Sequence, residues 1–277
     1  MTRRADLHIH TAFSDGLHTP AEIVEMARAE GLSVISISDH ACVDGVPEAI
    51  QAATGTQVQV VPGVEISTEV DGLEVHILGY CVNHASPKLR TALSRIQDLR
   101  LERAKEMLIR LRALGVAIPL EQVQELAGHG ALGRPHLAMA MVEAHFVSSA
   151  QEAFQRYLGR DRPAYVPRSK TTPADAVRLI RAAGGVPVLA HPWRITPMLP
   201  GLVAEGLMGL ETYYTGYSPE MTNCLVELAR SYGLVCTGGS DFHGLALLPN
   251  NRLGQVHVPL ECVEALRDRH RLLVEAT

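Results

Sequence analysis

The run Ala5-Asp6-Leu7-His8-Ile9-His10 ends the first apolar stretch of the chain, and Ser14-Asp15-Gly16 follows it closely. Alternate residues of a strand face the same side, so both imidazoles project together. Two imidazoles and a nearby carboxylate form a donor set for a divalent metal. Outward from this run, similar fragments recur at strand ends. Ser33 to Ser38 reads as a strand running into Asp39-His40, and Val186 to Ala190 as one leading into His191-Pro192. Leu234 to Thr237 leads to Gly239-Ser240-Asp241-Phe242-His243. Glu65 and His76 lie inside strand-like runs. In a parallel α/β barrel the loops after the strands converge on one face, so residues distant in sequence meet there.

The order of elements supports an α/β barrel. Thr19-Pro20-Ala21-Glu22 offers an N-cap, a first-turn proline and a capping-box glutamate. The helix it opens ends near Gly31, and a short helix is expected around Val46 to Ala53. Gln57 to Val61, Val64 to Val70 and Leu73 to Tyr80 read as three strands, the last two joined by an Asp71-Gly72 hairpin turn. Leu89 to Leu114 reads as a long helix, and Pro119 to Ala127, Pro135 to Ala144 and Ser149 to Leu158 as shorter ones. The expected division is a barrel from residues 1–87 and 168–277 with an all-helical cap, 88–167, inserted between its halves. Thr172-Pro173 opens a further helix, Met208 to Thr212 is a strand, and another helix starts near Ser218-Pro219.

Bulk properties narrow the function. The chain has 277 residues and a net charge of −5, so it exerts no general attraction on polyanions, and tight binding of long duplexes is not expected. No apolar run is long enough for a membrane span, and the N-terminus enters a chemistry-bearing strand at once, which points to a cytoplasmic protein. Five scattered cysteines form no C-x-x-C pair and suggest reduced, mostly buried thiols.

The candidate ligands are His8, His10, Asp15, His40, Glu65, His76, His191, Asp241 and His243. Nitrogen and carboxylate donors without thiolate favour manganese, iron or zinc. Taken singly, each fragment has an ordinary reading: Asp39 as a helix cap, His76 as a core histidine, His191-Pro192 as a rigid turn. Nine such residues together exceed the needs of one ion and imply two or three, with a carboxylate bridging them. Closely spaced ions suit hydrolysis of phosphate esters.

These fragments resemble the polymerase and histidinol phosphatase (PHP) family, through Asp6-Leu7-His8-Ile9-His10, Ser38-Asp39-His40, Gly63-Val64-Glu65, His76-Ile77-Leu78-Gly79, Leu189-Ala190-His191-Pro192 and Gly239-Ser240-Asp241-Phe242-His243. The resemblance implies a distorted (β/α)7 TIM-like barrel with two or three divalent ions, manganese first and iron or zinc as alternatives. By the same resemblance, His8, His10, Glu65 and Asp241 hold one ion. Glu65, His76 and His191 hold a second, and Asp15, His40 and His243 a third. Asp39 would orient a neighbouring ligand.

Within the family the chain is most similar to the branch with a helical insertion, through Gly133-Arg134-Pro135-His136, Tyr157-Leu158-Gly159 and Ala164-Tyr165-Val166-Pro167. That branch implies attack by metal-bound hydroxide on the 3′-phosphate of nucleoside 3′,5′-bisphosphates or on short RNA 5′ ends. Asp241, His191 and His243 are the catalytic candidates, with the proton donor left open between His191, His243 and water. Arg134 and His136, opening a cap helix, and Arg194 are expected to bind substrate phosphate, with Arg168 and Lys170 behind them. Many relatives have Gly where this chain has Trp193; its indole could pack on a base or ribose, or cover the barrel edge. Tyr213, Tyr214 and Tyr217 could line the pocket or pack. The expected partner is a small nucleotide or short oligonucleotide. The alternatives are histidinol-phosphate phosphatase, another small phosphomonoesterase or cyclic phosphodiesterase, amide hydrolysis, and a non-catalytic metal-stabilised interaction module.

Overall fold

The computed structural model describes residues 4–128, 130–167 and 171–275. Seven strands form one sheet in chain order: β1 (Arg4–Ile9), β2 (Leu32–Ile37), β3 (Gln59–Val70), β4 (Leu73–Tyr80), β5 (Val186–Leu189), β6 (Gly209–Tyr214) and β7 (Val235–Gly239). A parallel bridge from Ile9 to Phe242 brings the end of β7 back to β1, so the sheet nearly closes into a TIM-like barrel. Tyr80 on β4 donates its hydroxyl to the Leu7 carbonyl on β1 at 2.9 Å. Asp6, buried on β1, accepts from the Ser240 backbone and hydroxyl and from the Gly254 backbone, at 2.9, 2.6 and 2.8 Å. That one carboxylate ties the first strand to the loop after the last.

The barrel is mixed rather than all parallel. β4 runs antiparallel to both β3 and β5, and the other neighbours are parallel. The Asp71-Gly72 hairpin forces this reversal, both residues having positive φ (49° and 71°) as a tight hairpin turn requires. The two strands expected on either side of Pro62-Gly63 are one continuous strand. Gln59 to Pro62 pair with β2, and Gly63 to Val70 pair with β4. Pro62, lacking an N–H, sits where the strand changes neighbours, the position in which a proline disturbs a ladder least.

Helices α1 (Pro20–Ala29), α2 (Gly45–Ala53), α7 (Pro173–Ala182), α8 (Leu199–Ala204) and α9 (Pro219–Ser231) pack apolar faces on the strands around Ile35, Ile37, Ile66 and Ile77. α10 (Leu260–Glu275) covers a second cluster with Leu7, Val188 and Val235. Between β4 and β5 the chain passes through α3 (Pro87–Ala113), α4 (Leu120–Ala127), α5 (Arg134–Glu143), α6 (Ala150–Ala153) and a π-helical turn, Phe154–Leu158. These helices share their own apolar cluster, with Met107, Leu111, Leu137 and Met141. α3 serves both sides: Leu89 and Leu93 pack with the barrel, Met107 and Leu111 with the helical cluster. The boundary expected at residue 88 thus falls at the start of a helix that joins the two cores.

β7 passes so close to β1 that a Cβ on Gly239 would stand 2.3 Å from the His8 nitrogen and 2.4 Å from its Cβ. Gly239→Ala should therefore lower unfolding free energy by about 1–3 kcal/mol, read in denaturant melts. Gly201→Ala on α8, with open space around it, is the control and should change stability by less than about 1 kcal/mol.

Candidate metal centre

All nine candidate ligands meet at one mouth of the barrel, and Glu65 stands at their centre. Its Oε2 lies 3.5 Å from His8 Nε2, 3.2 Å from His10 Nε2 and 3.0 Å from His40 Nδ1. Its Oε1 lies 2.8 Å from His76 Nδ1 and 3.5 Å from His191 Nε2. The two oxygens of one carboxylate thus face different sets of imidazoles. Asp241 Oδ1 is 3.4 Å from His8 Nε2, 3.3 Å from His10 Nε2 and 3.5 Å from His243 Nδ1. Asp15 lies 3.3 Å from His243 Nε2 and 3.7 Å from both His10 Nδ1 and His40 Nε2.

The donor set fits divalent ions. Donor atoms about 2.0–2.2 Å from a shared ion stand roughly 3.0–3.5 Å apart in octahedral or tetrahedral arrangements, the spacing seen here. Three groups gather within 4.8 Å: His10, Asp15, His40 and His243; His8, His10 and Glu65; and His40, Glu65 and His76. Among the buried atoms without a hydrogen-bond partner are His8 Nε2, His10 Nε2, Asp15 Oδ1 and His76 Nε2. Such atoms cost about 1–3 kcal/mol each when left unsatisfied; those of His8, His10 and Asp15 face into the cup, and His76 Nε2 faces Glu74 at 3.6 Å.

Electrostatics give the same result. Burial opposes protonation of His8 and His10, yet the carboxylates around them prevail. Glu211, Asp241 and Glu65 raise His8 well above the ordinary range, and Asp241, Glu65 and Asp15 raise His10 to about 10. Burial also opposes ionisation of Asp15, Glu65 and Asp241, yet the imidazoles around them hold all three well below ordinary carboxyl values. Burial keeps His40 well below the usual imidazole range, neutral and able to donate a lone pair. The cup concentrates negative charge that needs cationic compensation.

Several supports hold the ligands. Glu211 on β6, fully buried, places Oε1 2.9 Å from His8 Nδ1 and accepts the His191 backbone N–H on Oε2 at 2.6 Å. His191 and Asp241 sit at positive φ (33° and 54°), a strained region for such residues that the surroundings must enforce. Tyr214 donates to Asp241 Oδ2 at 2.8 Å. Asp39 accepts from the Thr11 backbone and hydroxyl and the Ser14 hydroxyl, at 2.7, 2.6 and 2.5 Å, so it fixes the loop carrying Asp15. The sequence reading missed Glu211. A carboxylate amid the apolar strand Met208 to Thr212 was the available signal, since buried Glu is rare without a partner.

The candidate substrate residues separate. Arg134 opens α5 and lines a cavity of about 220 Å³ together with Arg100, Arg103 and several ligands. Its Nη2 donates to both Glu74 oxygens at 2.8 and 2.9 Å, and its guanidinium lies over Phe154 and Tyr165. His136 does not line that cavity. It is buried, its Nδ1 accepts from the Gly133 backbone at 3.0 Å, and it interacts with the Ser14 backbone, bracing the start of α5 against the Asp15 loop. Arg194 is exposed in a second groove with His191, Trp193, Tyr214 and Tyr217. Tyr213 packs beside the α10 cluster. Arg168 and Lys170 lie outside the described residues.

A nearly closed barrel with nine converging imidazoles and carboxylates defines a class, that of TIM-like barrel hydrolases dependent on divalent metal. The PHP domain profile matches residues 6–108. A 5′-3′ exoribonuclease of Haemophilus influenzae is 33% identical over 88% of this chain and 91% of its own length. A 3′,5′-nucleoside bisphosphate phosphatase of Chromobacterium violaceum is 32% identical over 86% of each. A Bifidobacterium adolescentis structure assigned to the metal-dependent phosphoesterases superposes with a TM-score of 0.88 at 30% identity, covering 97% of each chain. The chain belongs to the PHP family.

Glu211→Gln keeps the volume but weakens the acceptor behind His8. Divalent-ion affinity, measured by metal content after dialysis against graded chelator, should fall about 10–100-fold.

Proposed function

We propose that this chain is a metal-dependent phosphoesterase. Its substrates are small nucleotide phosphates, the 3′-phosphate of nucleoside 3′,5′-bisphosphates or short RNA 5′ ends. The observation that carries the reading is the 220 Å³ cavity, walled by His40, His76, His191 and His243 on one side and by Arg134 on the other. A substrate with two anionic groups about one nucleoside apart would span it, one group at the ligand cup and one at the guanidinium. The names and near-full-length similarity of the Haemophilus and Chromobacterium relatives support the same choice.

In this reading His8, His10, Glu65 and Asp241 hold one ion. Glu65, His76 and His191 hold a second, and Asp15, His40 and His243 a third; the family resemblance puts manganese first, and the thiolate-free donor set suits manganese, iron and zinc alike. When bound, the ions compensate phosphoryl charge and lower the pKa of water. The chain's residues do the rest. Glu65 spans two imidazole sets with its two oxygens, setting the spacing of the centre. Arg134 anchors the second phosphate, pre-oriented by Glu74 and by the rings of Phe154 and Tyr165. Both of its bonds to Glu74 come from Nη2, which leaves the rest of the fork to an anion. His191 and His243 line the cavity and can hold the proton needed by the leaving oxygen. The helical segment 88–167 caps the mouth, and Met107, Leu137 and Phe154 form its apolar wall.

Phosphate release from adenosine 3′,5′-bisphosphate tests the reading, with histidinol phosphate and a simple diester as competing substrates. Chelation should abolish release and manganese restore it. Glu65→Ala should lower kcat more than about 100-fold, beyond the loss of an outer supporting group. Arg134→Ala should act mainly on KM, by about 10–150-fold, as expected for a lost charge-assisted hydrogen bond. Faster turnover of histidinol phosphate than of the bisphosphate would reject the nucleotide assignment.

A further inference from the structure

Two recesses share the ridge formed by Glu74, His76 and His191. One is the capped cavity with Arg134. The other, about 550 Å³, runs outward past Trp193 and Arg194 to the surface. A ladder of rings leads along it from the ligand cup. His191 to Tyr214 is 5.5 Å between centroids, Tyr214 to Tyr217 is 5.3 Å, and Tyr217 to Trp193 is 6.4 Å. The Tyr217 hydroxyl accepts the Trp193 backbone N–H at 3.2 Å, fixing the last two rungs together. Trp193 nevertheless keeps 41% of its surface exposed, an unusual state for an indole at a cavity rim. Arg194 beside it has no hydrogen-bond or ion-pair partner among the described residues.

We propose that this groove is a second nucleotide subsite, in which Trp193 stacks on the base 3′ to the scissile phosphate and Arg194 meets the phosphate that follows. This rests on the nucleotide phosphoesterase reading above and adds its direction. The terminal nucleotide enters the capped cavity, the scissile bond lies over His76 and His191, and the remaining strand leaves over the aromatic ladder. The capped cavity has room for one nucleoside, whereas the outer groove opens at the surface and lets a chain continue. Stacking on an aromatic face is tolerant of base identity, which suits trimming of mixed sequences. The shared substrate is thus a short single strand carrying a 5′-phosphate, with mononucleotides using the inner cavity alone.

Trp193 is the chain's single tryptophan, so intrinsic fluorescence reports on this site alone. The manganese-loaded protein is titrated with a 5′-phosphorylated dinucleotide carrying a methylene-phosphonate at the scissile position, and with the same analogue lacking its 3′ base. The base-bearing analogue should quench fluorescence and bind about tenfold more tightly than the abasic one. With affinities of wild type and variants read by isothermal titration calorimetry, which needs no tryptophan, Trp193→Ala should collapse that ratio toward one, and Trp193→Phe should retain most of it. Equal binding and equal quenching by the two analogues, or a ratio that survives Trp193→Ala, would overturn the subsite. So would quenching by adenosine 3′,5′-bisphosphate as strong as that by the dinucleotide, since it would place the first base on the indole. Hydrolysis of the bisphosphate by the same preparation separates the two readings. Turnover without a base-dependent ratio refutes the subsite alone, and a ratio without turnover refutes the catalytic assignment alone.

Discussion

Three carboxylates, Asp15, Glu65 and Asp241, are gathered at the barrel mouth with six imidazoles within a few ångströms of them, and their charge has to be matched there. Desolvation alone would drive these carboxyls toward neutrality. The surrounding imidazoles reverse that tendency and drive the carboxyls downward, while three imidazoles, His8, His10 and His76, are driven upward in return. Divalent ions meet the same demand with neutral imidazoles as ligands, and they also give partners to the buried nitrogens left without any. The barrel, its closing contacts and the helical segment over its mouth all serve to keep this charge-dense cup in place.

The cup is held by parts that do not belong to it. Asp6 fastens β1 to the loop after β7, and Gly239 lets the two strands approach closely enough for His8 and Asp241 to share a site. Asp39 fixes the loop bearing Asp15 through Thr11 and Ser14. Glu211 couples His8 to the strained backbone of His191, so one residue on β6 sets the positions of two candidate ligands, one on β1 and one just after β5. The three carboxylates among these supports, Asp6, Asp39 and Glu211, are themselves buried and hydrogen-bonded, as a preorganised site needs. A defect in any of them would be felt as weaker ligand geometry before it was felt as unfolding.

The convergence of the nine candidate ligands was legible in the sequence because all but Asp15 stand within or just after an apolar strand pattern, where a histidine or carboxylate is conspicuous. The barrel followed from the alternation of such strands with capped helices, and the Asp71-Gly72 turn carried the antiparallel strand. Other features were not legible. Pro62-Gly63 reads as a chain break, because hydrophobic patterning cannot show that one strand changes partners halfway. Glu211 was hidden because a single carboxylate in a short strand carries no spacing signal, and its two partners lie far away in sequence. His136 looked like a phosphate ligand from its place at a helix start, but its direction is set by tertiary contacts with Gly133 and Ser14. α8 and α10 carry no chemistry-bearing motif and were not anticipated.

The two recesses on either side of His76 and His191 give the site an asymmetry that the ligand set alone lacks. On one side α3 and α5 close over a small volume and present the guanidinium groups of Arg100, Arg103 and Arg134. On the other, the short 3₁₀ turns after His191 and the loop after β6 leave an open path lined by Trp193, Tyr214 and Tyr217. His191 belongs to both walls, and its strained backbone is pinned by Glu211 from behind. The imidazole that would help hold the metal therefore also forms the boundary between the closed recess and the open groove. Positional constraint at that one residue couples the geometry of the proposed metal centre to both recesses, so a shift of its backbone would be felt in each.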